Sequence, residues 1–145
     1  MALDRQGTGL AILRILVGVF FVFVGLEKIR WFTDTSILAG RLSDWAAHAP
    51  AGSISSWYLH RIAQPGIWIF ARLVPLGEMG CGLALVLGLW TPIFAFVLFF
   101  MALNFHVAGN TLFKYSFLTN GYGLPVLGST LALAVGGVRL RWSIR

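Results

Sequence analysis

Charge is scarce in this sequence, and acid scarcer still. Eleven basic and five acidic side chains make up 11% of the 145 residues, against about 25% in an ordinary soluble domain. So few charges cannot cover a water-exposed surface of this size, which excludes a conventional soluble globule. Cysteine is nearly absent. Cys81 stands alone in an apolar run, so no intrachain disulfide can form, and it lacks the spaced partners a zinc or iron–sulfur site needs. It reads as a buried packing residue. Histidine is scarce too: His48 and His60 fall in a loop and only His106 in an apolar segment, one short of a bis-histidine haem. No Ser-His-Asp pattern, phosphate loop or metal-ligand spacing appears. The net charge of +6 is spread in ones and twos between apolar runs, so no basic face for nucleic acid can be drawn.

What is present is oil. Hydrophobic residues make up 58% of the chain, gathered in runs close to the ~20 residues that a bilayer core requires. The expectation is an all-α integral membrane protein, a single-domain four-helix bundle. Its spans cover about 9–26, 67–89, 93–108 and 122–138. Arg5 followed by an apolar run could open a signal peptide, but Gly25-Leu26-Glu27-Lys28 is a poor cleavage site. The run is therefore read as a retained first span. Trp90-Thr91-Pro92 is a short turn with proline placed to start the third span.

The connection over residues 30–66 is too apolar for a floppy linker. Ile37, Leu38, Leu42 and Trp45 recur at amphipathic-helix spacing, Pro50-Ala51-Gly52-Ser53 breaks the pattern, and a second short helix is expected from Ser55 to Ala63. Such helices lie along a membrane surface and here would roof the bundle. Trp31 and Trp68 mark one interface, Trp90 and Trp142 the other. Arg5 with Arg139, Arg141 and Arg145 places both termini in the cytoplasm under the positive-inside rule.

Helices in lipid associate through small residues and polar contacts. Gly80, Ala84 and Gly88 in span two, and Gly128, Ala132 and Gly136 in span four, form small-residue faces expected against neighbouring helices of this chain or of another subunit. Gly18 and Gly25 give span one a weaker face.

Ionisable groups at membrane depth cost roughly 2.5–3.5 kcal/mol each, so each needs a partner or a purpose. Helix rise sorts them by depth. It suggests two cross-helix ion pairs, Glu27 with Arg72 and Glu78 with Arg14, the latter snorkelling in part. Glu27, Lys28, Arg72, Asn104 and His106 then share one outer polar cluster beneath the loop, with Glu78 deeper. Such a cluster suits a quinone head or a small oxyanion. The same groups could instead neutralise one another and fix helix register. A lone helical histidine could also ligate a chlorin, though it more often finds a hydrogen bond.

The chain resembles the DoxX family of small four-helix membrane proteins, including the DoxD-like subunit of thiosulfate:quinone oxidoreductase. The resemblance rests on Leu13-Arg14-Ile15 through Gly18, on Gly25-Leu26-Glu27-Lys28, and on Gly77-Glu78-Met79-Gly80-Cys81-Gly82-Leu83 running into Gly88-Leu89-Trp90-Thr91-Pro92. Asn104-Phe105-His106 in the third span completes it. It implies a subunit in a bacterial or archaeal cytoplasmic membrane that works beside the quinone pool, passing electrons from a sulfur compound to quinone with a partner subunit. It also implies that Arg14, Lys28 and Glu78 are recurrent polar positions within the spans. The residues themselves supply binding groups and no redox centre. The alternative is a catalytically silent accessory subunit of a larger respiratory or photosynthetic complex, docking through its small-residue faces and touching lipid, chlorin or carotenoid.

Overall fold

A computed structural model describes residues 5–144, and the regular structure within them is all helical. Helix α1 runs Arg5–Glu27, α4 Ile67–Leu87 and α5 Thr91–Ala108, each long and apolar enough to cross a membrane. Helix α7, Leu124–Gly136, is shorter than the expected 122–138. Its 13 residues rise about 20 Å, short of a ~30 Å hydrocarbon core. Gly137 ends it, and the chain continues without regular structure across one end of the bundle. Arg145 lies outside the described residues.

The bundle is turned inside out relative to a soluble one. Ile12, Leu16, Phe23, Leu73, Leu83, Ile93 and Phe96 are exposed, whereas Arg14, Glu78 and Thr130 are wholly buried. Outward apolar and inward polar groups are the arrangement a lipid solvent selects, because ionisable groups must face the bundle interior. The expected all-α membrane bundle is what the chain forms.

Helices α1 and α4 make the most intimate seam. Gly18 lies opposite Gly82 so closely that a Cβ on Gly18 would stand 2.6 Å from the Gly82 carbonyl oxygen, and one on Gly82 would stand 2.7 Å from that of Gly18. Gly25 meets Met79 and Pro75 in the same way. The packing face of α4 is thus one step round from the expected one. Gly80 faces open space, as does Gly128 on α7, and Gly136 meets only a Leu10 methyl. Ala84 is buried and Ala132 exposed. Gly88 has a different duty: at φ 74° it caps α4 in the left-handed conformation, where its neighbours leave no room for a side chain.

The connecting segment folds as expected in outline. A 3₁₀ turn, Ile29–Phe32, leads to α2, Ser36–His48; then come α3, Ile54–Tyr58, and a π-helical turn, Leu59–Ala63. Leu38 and Leu42 turn inward with Trp31, Leu59 and Ala63 onto Ala71 of α4 and Ala108 of α5, while Ile37 stays exposed. The Ser55 hydroxyl donates to the Ala108 carbonyl at 2.8 Å, tying this roof to the end of α5. A short helix α6, Tyr115–Thr119, buries Phe117 before α7 begins.

Candidate functional site

The roofed end of the bundle holds a buried ion pair. Lys28, just past α1, places Nζ 2.6 Å from both carboxylate oxygens of Glu78. Glu78 is wholly buried and Lys28 nearly so. The pairing follows from side-chain direction. Helical side chains lean toward the N-terminus of their helix, so on antiparallel α1 and α4 Lys28 leans back along α1 and Glu78 leans toward the same level. Arg14 leans the other way, toward the start of α1.

Neither expected ion pair forms. Arg14 donates to the Ser143 hydroxyl and to the Trp142 carbonyl, the latter at 3.0 Å. Arg72 is exposed; it donates to its own helix at the Trp68 carbonyl, 2.9 Å away, and lies over the Trp68 ring. Glu27 is exposed at the end of α1. The Gly18–Gly82 register sets Glu78 level with about Val22, roughly two turns of α1 from Arg14, whereas Glu27 and Arg72 are near one height but both stay exposed.

Aromatic rings enclose the pair. Lys28 Nζ lies 4.9 Å from the Phe105 ring centre and 5.9 Å from that of Trp31, whose face also carries the Arg41 guanidinium at 5.6 Å. These cation–π contacts replace part of the hydration Lys28 loses. The Tyr122 hydroxyl is buried beside the Glu78 carboxylate, close enough for electrostatic contact but without a well-formed hydrogen bond. Tyr122 was not a sequence candidate; a phenol opening an apolar span is the signal that could have found it.

His106 holds the wall. Its Nε2 is 3.0 Å from the Tyr122 carbonyl and its Nδ1 2.9 Å from the Thr111 hydroxyl, with Phe117 edge-on. A carbonyl only accepts, so Nε2 carries a proton and donates it. Both ring nitrogens are therefore engaged within the chain. Asn104 turns to the other side of Phe105, against the Tyr58 hydroxyl, where it partly offsets the upward push of burial on that phenol. Of the outer cluster expected from sequence, Glu27, Lys28 and His106 come together around one cavity, with Glu78 behind Lys28, while Arg72 and Asn104 do not join them.

A cavity of about 580 Å³ opens beside the pair, lined by Lys28, Arg41, Trp45, His106, Thr111 and Tyr122 among others, with Phe20 and Phe105 as flat apolar walls. A second, apolar groove of about 390 Å³ runs between α4 and α5 from Leu73 and Val97 to Asn104.

A small polytopic helical bundle, oily outside and holding a buried cation–carboxylate pair under an amphipathic roof, defines the class. The DoxX family profile matches residues 9–110, and the chain belongs to the DoxX family. No curated protein and no solved structure matches it.

Proposed function

We propose that this chain is the membrane subunit of a quinone-linked electron-transfer complex and that a quinone head occupies the cavity beside Lys28 and Glu78. The carrying observation is that Lys28, held from behind by the sealed Glu78 carboxylate, forms part of a cavity wall. An ammonium has three N–H donors. Two face Glu78, which leaves one for a carbonyl oxygen. Phe20 and Phe105 supply flat faces for the ring. The residues carry no redox centre, so a partner subunit delivers the electrons, with a sulfur compound such as thiosulfate as the donor favoured by kinship. Reduction of a quinone takes two electrons and two protons, and Lys28, with Glu78 behind it, is the ionisable group set to hold a proton at the cavity wall. Arg5, Arg139 and Arg141 favour cytoplasmic termini in a bacterial or archaeal membrane.

The test is saturable quenching of tryptophan fluorescence by decylubiquinone in nanodiscs, since Trp45 lines the cavity. The double variant Lys28→Met/Glu78→Leu keeps the site neutral and is expected to weaken binding at least tenfold. An unchanged quenching curve would refute the reading.

A second reading, an accessory subunit that docks on other membrane chains, is favoured by Gly80 and Gly128, whose faces meet nothing of this chain. It predicts that a large assembly loses no activity when this chain is removed.

A further inference from the structure

The opposite end of the bundle carries a buried charge with no counter-charge among the described residues. Arg14 is wholly buried, and its guanidinium meets only neutral acceptors, the Ser143 hydroxyl and the Trp142 carbonyl; its Nε has no partner. No carboxylate among the described residues pairs with it. Burying a cation on neutral acceptors alone leaves much of its lost hydration uncompensated.

Three features beside Arg14 converge on one cavity of about 600 Å³. The first is Ser143, which lines it. Its oxygen accepts from Arg14, so its own proton is free to donate into the cavity. The second is Thr91, 3% exposed, which also lines the cavity and whose hydroxyl has no hydrogen bond among the described residues. Thr91 opens α5, a helix with no side-chain N-cap; Pro92 has no N–H and the Ile93 and Phe94 amides donate to the Trp90 carbonyl, so this positive helix end offers the Thr91 amide to the same space. The third is Arg139 on the rim. Helices α4 and α7 also end here, and their negative ends are covered in part: Leu87 accepts from the Ile144 amide, Ala84 from Leu89, Leu85 from Gly88 and Leu133 from Gly137.

We propose that this cavity binds a tetrahedral oxyanion, held by the Ser143 and Thr91 hydroxyls and the start of α5, with Arg14 behind Ser143 and Arg139 in front supplying the positive field. The oxyanion is either the phosphate of an anionic phospholipid head or a free oxyanion such as sulfate. Exposed Trp90 and Trp142 flank the cavity at the level of a membrane interface, where lipid heads lie. The site is about 21 Å along α1 from Lys28, at 1.5 Å per residue, and stands independently of the quinone reading.

Thermal unfolding of the full chain in neutral detergent at constant ionic strength tests it, with dioctanoyl phosphatidylglycerol or sodium sulfate titrated against sodium chloride. A saturable rise in Tm is expected, with Ser143→Ala weakening the apparent affinity about tenfold and Thr91→Val weakening it less. Both variants leave the Arg14 side chain in place and are expected to fold. A rise with the lipid alone identifies a lipid head; a rise with sulfate as well identifies a free oxyanion. No rise with either ligand, or a rise identical in both variants, overturns the proposal.

Discussion

The two ends of this bundle bury charge by opposite means. At the roofed end Lys28 meets Glu78, so the chain neutralises its own cation and surrounds it with rings. At the other end Arg14 is satisfied by a hydroxyl and a carbonyl. An internal pair is a closed electrostatic unit that only breaking can harm. A lone cation on neutral acceptors is open, and its environment can still improve by taking on an anion. The difference shows that burial of a charge says little until its partners are known.

Breaking the closed unit is expected to have the largest effect. Glu78→Leu strands a buried ammonium and should cost about 3–5 kcal/mol, read as unfolding in detergent. Adding Lys28→Met should recover most of that loss. If the double variant is as unstable as the single, the pair is not the self-contained unit described. At the other end, Arg14→Met removes a cation that has no carboxylate partner among the described residues. Two charge-assisted hydrogen bonds are lost, but so is the cost of burying the cation, for a net loss of about 1–2 kcal/mol. A loss equal to that of Glu78→Leu would mean that Arg14 has an anionic partner after all. The smallest effect belongs to Arg72→Leu. This exposed side chain bonds only its own helix, so neither the unfolding midpoint nor quinone quenching should move.

The sequence made the helices legible because apolar run length answers directly to bilayer thickness. The roof was legible too: Leu38 and Leu42 recur at helical spacing, and Pro50-Ala51-Gly52-Ser53 interrupts the pattern where α2 gives way to α3. The shortness of α7 and the presence of α6 were not, since Gly121 and Gly123 punctuate a stretch whose hydropathy is continuous with the helix that follows. The site was legible in part. Lys28, Glu78 and His106 stand out as ionisable groups in oil, but their pairing needed side-chain direction as well as height. The choice of Gly80 over Gly82 failed for a related reason. A four-residue repeat identifies a stripe, and only the partner helix decides which stripe is covered. Gly18 and Gly25, seven residues apart, had marked that partner face.

The backbone-to-backbone approach of Gly18 and Gly82 has a mechanical corollary. With no side chain between them at that crossing, and Phe21, Met79 and Val86 packed alongside, α1 and α4 are held too close to slide past one another. Compliance is then left to the α1–α7 side, where Leu10 and Gly136 touch only lightly and a shallow cleft runs past Leu16 and Pro125.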